Sequence, residues 1–575
     1  MNAPLSRFDT GDRIAFAPPP ALEAQPQLGI VQQRLMVLML LFMLVTGVIA
    51  ARLVQICLFG GDDGRRHVAA PSFDLPDMVD RNGVRLATGI NTWVIAVNPQ
   101  KINGDREAIA EKLAALLPER DYAYYRRILF SKRKFVYLRR PATPELAMQV
   151  NAIGDPGLML LREQRRLYPQ AQLAGHVLGY IDRDGVAQAG MEKVLQQRIA
   201  KGAHFDGPVS LSIDSRVQAA LESELNAAMV KFSAVGASGV VLDIKTGELL
   251  ALTSLPSFNP NAPGRDVLNA ANKATYFTYE LGSTFKMLTV ANAMETGVVR
   301  NMAQRYDATG ALHVGGFSIH DDHPKGRWLT IPEVLVYSSN IGTARMADDI
   351  GVDRAVSFFK KLGFDQPTDI ELFERGKPQF PSFWARTTLM TTAYGHGIAV
   401  TPLHLAQAYA ALANDGIWHP VTLLKHKPGA PLESRRIVSQ ATSWRVRQLM
   451  RLVVLQGTGG NADAPGLRVG GKTGTAEKLE GGRYSKRANL TAFSAVFPLD
   501  QPRYVVVTML DDPKATKETF GFKTAGWNVA PVEKKVISRI GPLLGIRPDM
   551  TKDIDVSDLM PLIMEKKVPG KNEIE

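Results

Sequence analysis

The run Leu35–Ala51, LMVLMLLFMLVTGVIAA, holds seventeen residues without a charge. As a helix it spans about 25 Å, close to the roughly 30 Å of a bilayer's hydrocarbon core. Arg52 comes next, and LVQICLF then continues to Phe59. An arginine that snorkels lets such a helix run on. Aliphatic residues cover every face, unlike a core helix with one polar side. The 34 residues ahead of the run are long for a cleaved signal peptide. The expectation is an uncleaved signal anchor over residues 35–59. Arg7, Arg13 and Arg34 precede the uncharged run, and Arg52, Arg65 and Arg66 lie soon after it. The positive-inside count is tied, so charge alone gives no orientation.

The rest must fold as a globular body. Of 575 residues, 45% are hydrophobic and 22% charged, which excludes a collagen-like or wholly disordered chain. The formal charge of +12 suits an anionic partner, whether nucleic acid, anionic lipid or cell-wall polymer. A single cysteine, Cys57, excludes an internal disulfide and any multi-thiolate metal site.

Residues 1–34, with Pro18-Pro19-Pro20, read as a short disordered tail. Residues 60–225 mix short strands and helices, with a turn at Asp80-Arg81-Asn82-Gly83. Arg126–Arg140 carries seven basic residues and no acid, with Tyr124, Tyr125, Phe130, Phe135 and Tyr137 interleaved. Beyond a membrane span this reads as a partner-facing or wall-facing patch rather than a nucleic-acid surface. From residue 226 the texture changes. Gly239–Asp243 and Leu249–Thr253 flank Lys245-Thr246-Gly247-Glu248, a hairpin pattern. Leu490–Phe497 and Tyr504–Leu510, joined through Asp500-Gln501-Pro502, form a second. Between them, Thr401 and Pro402 cap and open a helix that runs to Asn414 and stops at Gly416. Strands at both ends with helices between predict an α+β or α/β sandwich over 226–550. Residues 551–575 read as a charged, frayed tail.

Three short motifs carry the chemistry. The first is Ser283-Thr284-Phe285-Lys286, succeeded by Met287, Val290, Ala291 and Met294 at helical spacing and by Gly297. Ser283 and Lys286 share one face near a helix N-terminus. A serine hydroxyl becomes nucleophilic when a neutral amine takes its proton, and a lysine is neutral when buried or beside a second cation. The second motif is Ser338-Ser339-Asn340: a hydroxyl to relay a proton and an amide to hold a peptide. The third is Lys472-Thr473-Gly474-Thr475, a strand whose edge accepts an extended peptide. Its ammonium would depress Lys286, and its hydroxyls would bind a carboxylate. The motifs are separated by 55 and 134 residues. Their order and intactness, rather than any one of them, match the penicillin-recognising serine acyltransferases.

Two other patterns point elsewhere. Gly466–Thr473 fits the phosphate-loop spelling, but it lacks a buried strand before it and a helical period after it. His320-Asp321-Asp322-His323 could ligate a metal, but with no further ligand cluster it reads as a polar loop before Pro324.

The chain resembles a class B penicillin-binding protein over most of its length beyond the span. Tyr279-Glu-Leu-Gly-Ser-Thr-Phe-Lys286 is similar to the family's Y-E-P-G-S-T-F-K, with Leu281 in place of proline. Lys472–Ala476 matches K-T-G-T-A, and Tyr394-Gly-His-Gly397 resembles Y-G-Q-G with His396 departing. Asp80–Gly83, Tyr168-Pro169 and His176–Tyr180 resemble the family's non-catalytic, elongated pedestal, while Leu75-Pro76 stands where the family has Arg-Gly. Tyr337–Gly342, Thr401–Ala410 and Phe135–Leu138 are more similar to the division-specific branch, the FtsI type, than to the elongation branch.

The resemblance implies a cytoplasmic N-terminus, a periplasmic pedestal over 60–225, an α+β transpeptidase domain over 226–550 with an antiparallel sheet flanked by helices, and a place at the division site. It implies that Ser283 attacks the penultimate D-Ala of a stem pentapeptide, with Lys286 as base and Ser338 as proton shuttle. Asn340 would hold the substrate amide, Lys472, Thr473, Gly474 and Thr475 would line the substrate strand, and the backbone N–H groups of Ser283 and Thr475 would form the oxyanion hole. β-Lactams would stall at the acyl stage. No metal or cofactor is implied. The implied partners are the inner membrane, a SEDS-type glycosyltransferase and other division proteins. Three alternatives share parts of this pattern: an elongation-specific relative, a β-lactamase or carboxypeptidase, and a non-catalytic sensor or scaffold. The second is weakened because Glu371-Leu-Phe-Glu374 does not spell E-x-x-L-N, and the third because all three motifs are intact.

Overall fold

The computed structural model describes residues 26–59, 75–264, 271–427, 429–480 and 483–564. The chain divides into two units, residues 1–71 and 72–575.

Among its described residues, the first unit contains one helix, Pro26–Phe59. It starts earlier than expected: residues 26–34 are helical rather than part of a disordered tail. Pro26 suits a helix's first turn, and Gln27-Leu28 and Val31-Gln32-Gln33 offer little resistance to it. The backbone passes Arg52 without a break. The stretch Arg34–Ala51 is apolar and unburied, long enough to cross a membrane. Residues 1–25, the rest of the expected tail, lie outside the described residues.

Among its described residues, the second unit has two five-stranded sheets and three two-stranded ones. In the pedestal region, Arg85–Val97 is the central strand, antiparallel to Val136–Ala142 and Leu158–Leu167. Met78–Val79 pairs with it and runs parallel to Val209–Ser210. The expected turn forms at Asp80–Gly83 and reaches across to the C-terminal region. Asp80 accepts from Ser215 Oγ at 2.7 Å, Asn82 donates to Asp214 at 3.0 Å, and Arg81 pairs with Glu248 at 3.2 Å. Arg166 donates to the carbonyls of Leu75 and Pro76 at 3.2 and 2.8 Å and to Glu192 at 2.7 Å. The carbonyls of Leu75-Pro76 thus supply a joint that needs no side chain there. In the basic patch, Arg126, Arg139 and Arg140 pair with Glu107, Glu119 and Glu163.

The other five-stranded sheet has strands β1 (Gly236–Asp243), β2 (Leu249–Leu255), β3 (Gly470–Glu480), β4 (Arg483–Phe497) and β5 (Tyr504–Asp511). Its order is β3-β4-β5-β1-β2, antiparallel throughout, with β3 at an edge. Both predicted hairpins are present. The helices around it include α1 (Ser215–Lys231), α2 (Phe285–Glu295), α3 (Ile331–Val336), α4 (Asn340–Ile350), α5 (Pro402–Ala413), α6 (Gln440–Gln456) and α7 (Val529–Leu543).

Side chains alternate across a strand, so β1 and β5 feed two cores. Val240, Leu242, Val505 and Val507 join the core that contains α2, α5 and α6. Val241, Val506 and Leu510 join the core that contains α1 and α7. Burial on both faces explains why these strands read as continuous apolar runs. Thr401 caps α5 as expected, its hydroxyl accepting from the His404 N–H.

Two expected boundaries move. Helix α1 crosses the expected boundary at residue 225 without a break and packs on the sheet through Val217, Leu221 and Leu225. Residues 551–564 are not a frayed tail. Ile554, Leu559 and Ile563 are buried in the core, and Asp553 pairs with Arg451 at 2.6 Å. The charges interspersed along this segment disguise three apolar anchors. Residues 565–575 lie outside the described residues.

Candidate active site

The first motif turns a corner. Gly282–Thr284 forms a single 3-10 turn that continues directly into α2. The expected helix is present, and Ser283 sits on the turn, half-buried, while Lys286 is 0% exposed. Gly282 has φ +53°, and a Cβ there would lie 2.6 Å from the Thr475 carbonyl oxygen. A Cβ on Gly474 would lie 2.3 Å from the Leu281 carbonyl oxygen. The two glycines let edge strand β3 cross directly over the turn. This brings the backbone of Thr475 to the Ser283 segment, the approach an oxyanion site needs.

The second motif lies between α3 and α4. Ser338 has φ +58°, in the left-handed region, where a residue with a side chain is strained. Ser339 caps α4, its hydroxyl accepting from the Gly342 N–H at 2.9 Å. Asn340 donates through its amide to the His320 carbonyl at 2.9 Å.

The third motif lies on β3, as expected, with Lys472 opposite Ser494 and Thr475 opposite Thr491. The backbone runs on from Gly471-Lys472-Thr473 as strand, not as the helix a phosphate loop requires. Lys472 is 0% exposed.

The three motifs meet at Ser338 Oγ. It accepts from Lys286 Nζ at 3.0 Å and from Lys472 Nζ at 3.1 Å. Lys286 Nζ also donates to the Ser338 carbonyl. Lys472 reaches Thr473 Oγ1 at 3.2 Å and Thr458 Oγ1 at 3.4 Å, and those two hydroxyls are 2.7 Å apart. Thr475 Oγ1 accepts from the Ala525 N–H at 3.0 Å.

Burial pushes the Lys286 amine down to about 7, while Asp321 and Asp322 pull it back up. Lys472 lies well below the usual lysine range, through burial first and the Lys286 charge second. Lys286 is depressed first by the absence of water around it, and two like charges held this close disfavour each other in both directions. The Lys286 amine can therefore be neutral near neutral pH, the state a proton acceptor needs.

Sequence reading misses three contributors. Thr458 has no motif to mark it. Glu280 accepts from the Gly397 N–H at 2.9 Å and from Tyr484 OH at 3.0 Å, with His396 Nδ1 at 3.4 Å, and so ties the 394–397 loop to β4. Asp321 lies in the expected polar loop, but with a specific task. Its carboxylate accepts from Ser339 Oγ at 2.7 Å and from the Ile341 N–H at 2.9 Å. Glu371, the first carboxylate of the segment that fails to spell E-x-x-L-N, is committed to Thr422 Oγ1 and the Leu423 N–H.

The family model for the penicillin-binding protein transpeptidase domain matches residues 237–531, and that for the penicillin-binding protein dimerisation domain matches 77–203. The probable peptidoglycan D,D-transpeptidase FtsI of Caulobacter vibrioides is 39% identical over 482 residues, 82% of this chain and 81% of that protein. The chain belongs to the class B penicillin-binding proteins, of the FtsI type. The peptidoglycan D,D-transpeptidase FtsI of Escherichia coli is 30% identical over 508 residues, covering 82% of this chain and 84% of the relative. The crystal structure of penicillin-binding protein 3 of Mycobacterium tuberculosis, complexed with aztreonam, superposes with a TM-score of 0.63 at 25% identity, over 83% of this chain and 97% of that one.

Proposed function

We propose that this chain is a serine D,D-transpeptidase that cross-links peptidoglycan stem peptides during septal wall synthesis. The single observation that carries the reading is the convergence of both lysines on Ser338 Oγ, next to the turn that holds Ser283. In this reading Ser283 Oγ attacks the penultimate D-Ala carbonyl and its proton passes to the Lys286 amine. The oxyanion is held by the N–H groups of Ser283 and Thr475. As the intermediate collapses, Ser338 relays the proton to the departing D-Ala amine. An amine from a neighbouring stem peptide then attacks the Ser283 ester and regenerates the hydroxyl. Asn340 orients the donor amide. Lys472, Thr473, Gly474 and Thr475 present the β3 edge and the groups that hold the terminal carboxylate. A β-lactam enters the same path and leaves an acyl-enzyme with no departing group.

The protein is membrane-anchored, and the helix Pro26–Phe59 has the length and composition for that anchor. Its N-terminus is cytoplasmic and its catalytic domain faces the periplasm at the division site, where the substrate lies. The domains in this reading are an anchor over residues 26–59, a pedestal up to residue 214, and a transpeptidase domain from residue 215 that includes the segment to 564. The span and pedestal contact a SEDS-type glycosyltransferase and other division proteins.

The test is labelling with a fluorescent penicillin. The wild-type protein carries one covalent adduct and Ser283→Ala protein carries none; equal labelling of both overturns the assignment. Depletion in cells gives filaments. Swollen or rounded cells would place the chain in the elongation branch instead.

A further inference from the structure

The loop His320–His323 spells a metal motif but makes other contacts. Two of its groups are spent on the second motif. Asp321 accepts from the side chain of Ser339 and from the backbone of Ile341, and the His320 carbonyl accepts from the amide of Asn340. Three consecutive residues after Ser338 are thereby tied to two consecutive residues of one loop.

Ser338 needs such a tie. Its left-handed backbone is unfavourable for a serine, and it persists only where the surroundings over-determine it. That conformation places both its Oγ and its carbonyl on Lys286 Nζ. Asp321 also stands at the N-terminus of α4, where a carboxylate meets unsatisfied N–H groups and is stabilised by the helix dipole. The half-buried carboxylate is thus held in place from several directions.

We propose that Asp321, with the His320 carbonyl, is the positioning group of the acyl-transfer site: it locks the Ser338-Ser339-Asn340 turn and sets the charge seen by the Lys286 amine. The inference rests on the transpeptidase reading of Ser283. Lys286 is faced by Lys472 from β3 and by Asp321 and Asp322 from this loop. Removing one carboxylate makes the ammonium form less favourable, so the amine becomes neutral at a lower pH.

The experiment measures acylation by fluorescent penicillin against pH, on the full-length protein in detergent, together with its melting temperature. Asp321→Asn keeps the shape and loses the charge. It is expected to slow acylation about tenfold or more, in the first-order step rather than in penicillin binding, and to move the rising limb of the pH profile toward acid. Ser339→Ala removes one tie and keeps the charge; it is expected to slow acylation while leaving the limb in place. Asp321→Glu is expected to restore the limb. Wild-type acylation at Ser283 with unchanged rate and limb in both Asp321→Asn and Ser339→Ala would overturn the inference. So would a loss in Asp321→Asn that tracks the melting temperature alone, with Ser339→Ala at wild-type rate. Absence of any Ser283 adduct in the wild type would instead overturn the transpeptidase reading beneath it.

Discussion

Ser338 Oγ lies 3.0 Å from one buried amine and 3.1 Å from another. One hydroxyl can therefore pass a proton in either direction without moving far, which acylation and its reversal both require. The direction of the pH effect comes from Lys286, whose amine titrates at about 7 because burial disfavours its charge. Protonated, it cannot accept from Ser283. Acylation is therefore expected to rise with pH through an apparent value near neutrality and to level off above it, which rates measured from acid to alkaline pH would show. A flat profile across neutrality would exclude the amine as base. Lys472, Asp321 and Asp322 face the same amine, so the limb belongs to the group and not to one residue. The identity of these groups is legible in the sequence, because S-x-x-K, S-x-N and K-T-G-T are spelled in chain order. The left-handed Ser338 and the role of Thr458 are not, since strain and long-range contacts have no local spelling. Nor does the spelling reveal that the Lys286 amine is fully buried.

At the scale of elements, the edge strand and the nucleophile turn approach until no side chain fits between them. Gly474→Ala would set a Cβ 2.3 Å from the Leu281 carbonyl oxygen, a backbone atom that cannot swing aside. The variant is expected to lose about 1–3 kcal/mol of stability and most of its penicillin acylation, read by thermal melting and by labelling. Wild-type labelling would show that β3 can shift without harm. The elements themselves are readable where local signals are strong: the two hairpins, the Thr401 cap and the helix after Lys286. Two stretches mislead. The residues before Leu35 and after Met550 are polar enough to look unstructured, yet one continues a helix and the other packs through Ile554, Leu559 and Ile563. Isolated apolar anchors leave no period to detect.

For the whole molecule, that last stretch closes the catalytic domain. Leu562 accepts through its carbonyl from Thr330 Oγ1 at 2.9 Å, and the Met564 N–H donates to Glu333 at 2.9 Å, so residues 562–564 brace the start of α3, which ends next to Ser338. Arg451, beside the start of β3, loses Asp553 if the segment is cut away. A chain ending at Met550 is expected to melt at least about 5 °C lower and to acylate more slowly than the intact protein; an unchanged melting point would make the segment ornamental. Here the start of α3 closes on partners 231 and 232 residues further along the chain. Contacts of such sequence separation carry a large loop-closure cost, so the turn before Ser338 gains its brace only once the rest of the domain has drawn the two segments together.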